Sequence, residues 1–412
     1  MGINKDSQKA PILRFKGFTD DWEQRKLKSI GKTFTGLSGK TKDDFGHGEA
    51  NYIPYTNIFN NPITDVDQLE SIEIDMKQNS VVYGDILFTT SSETPEEVGM
   101  SSVWMYEKEN VYLNSFCFGF RPIEKHYPLY LAYLLRSPDM RKKFTILAQG
   151  ISRYNISKNK VLELTIPLPA ISEQIKIGNT LKYLDNTITL HQRKLDQLKQ
   201  LKEALLQQMF PGKGETVPKL RFAGFEGDWE ERKLSSMTMY KNGKSHEEKQ
   251  STSGKYELIN LNSISISGGL KHSGKFIEDT NDTLQKDDLV MILSDVGHGD
   301  LLGRVALIPN DNKFVLNQRV ALLRPNETAD PHFLFSYINA HQHYFKSQGA
   351  GMSQLNISKG SVENFTSNVP TIQEQNHIGT FFKSLDNIIV LYQGKLEQLQ
   401  NMKQVLLQNM FI

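Results

Sequence analysis

The chain has 412 residues, 38% of them hydrophobic and 10% aromatic, enough for several packed cores and too apolar for a disordered protein. The single cysteine, Cys117, excludes an internal disulfide framework and a thiolate metal cluster, and no apolar run approaches the roughly 18 residues of a membrane span. A net charge of +1 neither demands nor excludes nucleic acid, because local distribution matters more than the sum. The opening MGINKDSQKAP has no apolar signal core, and Asp6 stands where an acylation signal needs Ser or Thr; cytoplasmic residence is expected.

In chain order, the first marked segment is LRFKGFTDDWEQRKL at 13–27. Beyond it, YIPYTNIF, NSVVYGDILFTT and NVYLNSFCFGFRP are rich in β-branched and aromatic residues and predict strands. YLAYLLRSPDMRKKF predicts a helical tail. GISRYNISKNKV and a proline-bearing strand end (Pro167, Pro169) then lead into a long periodic segment. Its apolar seam runs Ile177, Leu181, Leu184, Ile188, His191, Leu195, Leu198, Lys202, Leu205, Met209, in alternating steps of four and three. A mean spacing of about 3.5 residues is the coiled-coil pattern. Pro211-Gly212 stops it.

The chain then repeats itself. LRFAGFEGDWEERKL at 220–234 matches 13–27 at 11 of 15 positions. Residues 351–411 echo 150–210, with a second seam at Ile378, Phe382, Leu385, Ile389, Tyr392, Leu396, Leu399, Lys403, Leu406 and Met410. The stretches between the echoes differ. KYELINLNSI, DDLVMILSDV, GRVALIP and FVLNQRVALLRP predict strands, and FLFSYINAHQHYF a helix. Faint matches survive: Leu113-Asn114 and Arg121-Pro122 against Leu316-Asn317 and Arg324-Pro325, and Gly84-Asp85 against Asp287-Asp288. The pattern is a tandem duplication with one fold and diverged loops. Lys202 and Lys403 interrupt the two seams at matching positions, where a polar residue tends to fix register. Each helix of about 40 residues needs a partner. Chain direction argues for an antiparallel pair, with each helix lying on its own globular half as the alternative.

Catalytic motifs are poorly represented. Gly39-Lys40-Thr41 resembles the end of a phosphate loop, but Phe34 occupies the place of its first glycine. His341 and His343 are two apart on a helix and do not share a face. His298, in SDVGHGD, suits a contact or a turn. No GxSxG, HExxH or Asn-Pro-Pro-aromatic motif is present.

The two echoed segments, RFxGFxxDWExRKL and G…NIS…P…EQ…IG…LD…KL, resemble the specificity subunit of bacterial type I restriction–modification systems, and the resemblance covers essentially the whole chain. It is carried by Arg14-Phe15, Gly17-Phe18, Asp21-Trp22-Glu23, Arg25-Lys26-Leu27, Gly150, Asn155-Ile156-Ser157, Pro169, Glu173-Gln174 and Leu184-Asp185. The second copy repeats it with Arg221-Phe222, Gly224-Phe225, Asp228-Trp229-Glu230, Gly351, Asn356-Ile357-Ser358, Pro370, Glu374-Gln375 and Leu385-Asp386. The aromatic members, Phe15, Phe18 and Trp22, are expected to pack rather than touch DNA.

The implied fold is α+β: two mixed target-recognition domains joined by a pair of long antiparallel coiled-coil helices in a pseudo-twofold tandem duplication. The expected division is a conserved segment 1–27, a first recognition domain 28–166, a helix 167–210, a linker and repeated segment 211–234, a second recognition domain 235–369 and a helix 370–412. The resemblance implies a non-catalytic reader of double-stranded DNA. Each domain would read one half of a bipartite asymmetric site, and the helices would set the gap. It would dock two methyltransferase subunits and two restriction–translocase subunits in the bacterial cytoplasm. No cofactor is expected in this chain; S-adenosylmethionine, ATP and Mg2+ would belong to the partners. Two other readings stay open, a two-headed adaptor for proteins or glycans and a nuclease or methyltransferase.

Base edges are read by Arg or Lys at guanine, Asn or Gln at adenine, and hydroxyls at either. Loops rich in these groups are therefore the candidate contacts. In the first domain they are Tyr55, Thr56 and Asn57, then Thr89, Thr90, Ser91, Ser92 and Glu93, then Ser152, Arg153 and Tyr154. In the second they are Asn260, Asn262 and Ser263, then Ser294, Asp295, His298 and Arg304, then Ser353 and Gln354.

Overall fold

The structure, a computed structural model, describes residues 10–296, 299–351 and 354–412. It divides into two compact units. One comprises residues 1–192 with 394–412; the other comprises residues 193–393.

In the first unit, a four-stranded antiparallel sheet runs in the order Gly31–Thr35, Cys117–Pro122, Ile86–Thr89, Ser101–Val103. A three-stranded sheet places Phe45–Ile53 between Glu70–Ile72 and Val111–Leu113. The strand Ile86–Thr89 is buried at every position, as a strand covered on both faces must be. Its side chains alternate accordingly. Ile86 and Phe88 pack with the helices Pro128–Leu134 and Pro138–Leu147, while Leu87 joins Ile53, Val111 and Trp104 on the other face.

The second unit repeats the arrangement with other residues. Its four-stranded sheet is Thr238–Asn242, Val320–Pro325, Leu289–Ile292, Val305–Leu307, and its three-stranded sheet is Phe276–Ile277, Tyr256–Ile259, Phe314–Leu316. Leu289 and Met291 face one core, Val290 and Ile292 the other. One fold thus carries both dissimilar inserts.

The faint internal matches have a physical cause. Arg121 donates twice to the buried Asp85, at 2.8 and 2.7 Å, and Arg324 does the same to Asp288, at 2.7 and 2.8 Å. Each pair pins the tight turn entering its central strand. Gly84 takes φ +87° there, and Asp287 adopts φ +66° in the same place.

The echoed segments form a clasp in each unit. Glu23–Lys26 pairs with Thr165–Leu168, and Glu230–Lys233 with Thr366–Val369. Trp22 and Trp229 are buried, edge-on to Tyr130 and Phe333. The fully buried Glu173 accepts from Arg14 at 2.7 and 2.9 Å and from Trp22 Nε1 at 3.2 Å. Glu374 accepts from Arg221 at 2.7 and 2.8 Å. Gln174 accepts from the Tyr127 amide and donates to the Pro169 carbonyl, and Gln375 does so with Asp330 and Pro370. The repeated Glu-Gln therefore fastens the helix start to the globular part.

The long helices span Ile171–Met209 and Ile372–Asn409. All ten positions of each seam are buried or half-buried. Within the first unit, Ile177 and Leu181 share a core with Leu406 and Met410, and Asp185 pairs with Lys403. Within the second, Leu205 and Met209 share a core with Ile378 and Phe382, and Lys202 pairs with Asp386. In each unit the partner's numbering falls as the first helix's rises, so the two helices run antiparallel there. No described helix is long and apolar enough to cross a membrane.

Lys40, at the end of the apparent phosphate loop, is bonded to Asp75 at 3.0 Å, and Thr41 caps the short turn Lys42–Asp44. That loop is a locally satisfied turn.

Candidate nucleic-acid interface

The three candidate loops of the first domain converge. Tyr55, Thr56, Ser91, Ser92, Glu93, Ser152 and Arg153 line one open cleft of about 750 Å³, with Phe59, Asn60 and Glu97. The helix Tyr55–Asn60 supplies one wall, where Tyr55 stacks on Phe59 and donates from its hydroxyl to the Ser91 carbonyl at 2.6 Å. Burial holds the Tyr55 phenol above its usual range, and the neighbouring Arg153 pulls the other way. The opposite wall is a short ladder, Ser91–Ser92 against Tyr154–Asn155.

Asn155 closes the loop leading to that ladder through two backbone bonds with Gln149, at 3.0 and 2.8 Å. Gly150 makes the closure possible. Its φ is +142°, and a Cβ there would lie 2.1 Å from the Arg153 carbonyl oxygen. Arg153 is left at the exposed tip, its Nε donating to Ser91 Oγ at 3.3 Å.

The second domain builds the same device. Ser294–Asp295 pairs with Leu355–Asn356, and Asn356 closes the loop with Ala350 at 3.0 and 2.9 Å. Gly351 has φ +138°, with the Gln354 carbonyl 2.0 Å from where a Cβ would be. Gln354 Nε2 donates to Ser294 Oγ at 2.6 Å, as Arg153 does to Ser91. Asn262 is exposed in the short turn Leu261–Ser263, which follows Tyr256–Ile259 as the helix Tyr55–Asn60 follows Phe45–Ile53.

Several candidates are engaged inside the fold. Asn57 is fully buried, donating to the Asp65 carbonyl at 2.8 Å and accepting from its amide at 2.9 Å. Thr89 is fully buried, with its hydroxyl accepting from the Met100 amide at 3.0 Å. Thr90 is half-buried and bonds through its backbone to Phe116 and Ile156. Asn260 and Ser263 cap their own turn reciprocally, and Asp295 accepts from the Leu301 amide at 3.2 Å. The Arg304 guanidinium is half-buried and donates to the Asn339 carbonyl at 3.2 Å; burial pulls its pKa down. A polar side chain that satisfies neighbouring backbone looks, in sequence, like one that faces a ligand. His298 and Ser353 lie outside the described residues.

Two residues that sequence reasoning missed hold the first cleft in place. Arg136 donates to the carbonyls of Ile58, Phe59, Asn61 and Ser101, which fixes the C-terminal end of the wall helix. Arg141 donates to the carbonyls of Glu96, Val98 and Gly99 in the loop after Glu93. Burial pulls both guanidinium groups down to about 10, which leaves them charged at neutral pH. They add fixed positive charge behind the cleft. Their only sequence signal was two arginines in an apolar helical stretch.

The same short ladder and glycine recur in each unit, flanked by different residues. The type I restriction–modification DNA specificity domain matches at residues 19–200 and again at 226–401, and the chain belongs to that family. A putative type I restriction enzyme MjaX specificity subunit from Methanocaldococcus jannaschii is 25% identical over 412 aligned residues, covering 93% of this chain and 91% of that protein. The MjaVIII specificity subunit of the same organism is 24% identical over 291 residues, 67% of each chain. Among solved structures, the S subunit of a type I system from M. genitalium shares the fold with a TM-score of 0.65 at 18% identity, covering 98% of this chain and 99% of that one. A structure bearing on complex assembly and conformational transition of the type I system has a TM-score of 0.53 at 15% identity, covering 94% and 96%.

Proposed function

We propose that this chain is the non-catalytic subunit that selects the DNA site of a type I restriction–modification complex in the cytoplasm. Each recognition domain reads one half of a bipartite, asymmetric duplex site, and the helix pair sets the gap between the halves. The observation that carries this reading is the repeated ladder, reached past Gly150 in one domain and Gly351 in the other, with Arg153 beside it in the first and Gln354 in the second. Varying the side chain on a constant frame changes which base is read without changing the reader.

Two methyltransferase subunits and two restriction–translocase subunits complete the assembly. S-adenosylmethionine, ATP and Mg2+ act in those partners. The exposed apolar side chains Tyr183 and Leu190 on the first helix, and Val390 and Leu391 on the second, support the helices as docking faces. A net charge of +1 suits a reader whose partners supply much of the phosphate contact.

The test is to co-express the chain with its methyltransferase and map methylated adenines across a genome. The expected result is one bipartite motif with a fixed gap. DNA retention that is weak and insensitive to salt, with no motif, would favour a protein- or glycan-binding adaptor instead.

A further inference from the structure

We propose that the residue pair at the open end of each loop ladder reads one base pair, G·C in the first half-site and A·T in the second. The proposal rests on the reading above and assigns its chemistry.

The ladder registers define the pair. Ser92 faces Tyr154 and Ser91 faces Asn155; Glu93 and Arg153 are the next residues outward on the two chains, past the last paired step, and both line the same cleft. Asp295 faces Leu355 and Ser294 faces Asn356; Val296 and Gln354 are the next residues outward on the two chains, past the last paired step. Glu93 and Arg153 are both exposed at the cleft. Val296 is 68% exposed, and Gln354 is half-exposed.

The two pairs differ in a coordinated way. A guanidinium matches the O6 and N7 acceptors of guanine, and a carboxylate accepts from N4 of cytosine. With Arg153 Nε held by Ser91, its two terminal nitrogens still offer the parallel donors that guanine requires. An amide matches adenine, accepting from N6 and donating to N7, while an apolar side chain suits the methyl group of thymine. Gln354 gives one N–H to Ser294 and keeps a second N–H and its carbonyl oxygen. Arg with Glu thus complements G·C, and Gln with Val complements A·T. An exposed carboxylate facing a polyanion is otherwise unfavourable, and a cytosine amino group removes that penalty. The serine bond in each unit restricts the rotamers of the reading side chain before DNA arrives, which lowers the entropy lost on binding.

The experiment exchanges the pairs in the complex of the full chain with its methyltransferase. One variant combines Glu93→Val with Arg153→Gln; the other combines Val296→Glu with Gln354→Arg. Methylation is mapped genome-wide. The first should change one position of half-site one from G·C to A·T, and the second one position of half-site two from A·T to G·C. Discrimination at that position should invert from about 5- to 150-fold in favour of the original pair. Every other position should stay fixed. Methylation of the unchanged motif by both variants overturns the proposal. Should a variant methylate nothing, competition binding against duplexes altered at one base pair each decides. A changed preference at one position supports the proposal, and a uniform loss on all duplexes, the mark of a phosphate contact, overturns it. A wild-type complex without any bipartite motif would instead refute the functional reading beneath it.

Discussion

Lys202 Nζ lies 2.6 Å from Asp386 Oδ1, and both residues sit half-buried between the two long helices of one unit. The first unit holds the matching pair, Lys403 with Asp185, also at 2.6 Å. A lysine in an apolar seam costs stability unless its head finds a partner, and the partner here is on the other helix. Sliding either helix by a turn would separate the charges, so the pair favours one register. Lys202→Ala or Asp386→Ala should lower stability by about 1 kcal/mol or less, since neither group is fully desolvated. A double-mutant cycle followed by urea unfolding should give a coupling of about 0.5 kcal/mol or more, falling as salt rises. Zero coupling would mean that the pair does not hold the register.

The clasp at Glu173 should behave differently, because that carboxylate is fully buried. Arg14→Met leaves it without its charge partner and should cost about 3–5 kcal/mol. The double substitution Arg14→Met with Glu173→Met removes both charges and should recover much of that loss, read as the denaturation midpoint. A double variant less stable than the single one would assign Glu173 another indispensable partner.

Asn57 separates folding from reading. Its amide and carbonyl are both bonded to Asp65, so Asn57→Ala removes both bonds, leaves the Asp65 amide without that acceptor and should cost about 1–3 kcal/mol. At a temperature where the variant is still folded, its methylation motif should be unchanged. A changed motif would place Asn57 at the DNA after all.

Much of this architecture was legible beforehand. The seams, the duplication and the α+β class follow from spacing that burial enforces directly, and each seam position is indeed covered. The shared topology of the two inserts was visible only as a few scattered matches, among them the Arg121–Asp85 and Arg324–Asp288 pairs, whose side chains hold equivalent turns. The cleft was legible as loop composition, since its three segments are polar and short. Composition could not tell Asn57 or Thr89, which turn inward to backbone partners, from Arg153, which turns outward. Arg136 and Arg141 were missed because buried arginines that bond carbonyls leave no pattern in the chain. Nor does composition show that the candidate Arg304 donates to the Asn339 carbonyl near the end of the helix Pro331–Ala340.

The loop closures give a further prediction. Gly150→Ala would force a Cβ to 2.1 Å from the Arg153 carbonyl oxygen at a φ of +142°. Reopening the loop should cost about 1–3 kcal/mol. It should weaken discrimination in half-site one alone, while Gly351→Ala should do so in half-site two alone. Competition binding with duplexes scrambled in one half checks both. Equal damage to both halves from either variant would contradict separate readers.

Independent reading by two domains on one frame is the central claim, and domain replacement tests it most directly. Residues 235–350 are exchanged for the corresponding stretch of a relative with a different site, leaving both helices and residues 13–234 intact, and methylated adenines are mapped in the complex with the methyltransferase. One half of the motif should change, while the other half and the gap stay as they were. A motif in which both halves or the gap change together would contradict the account.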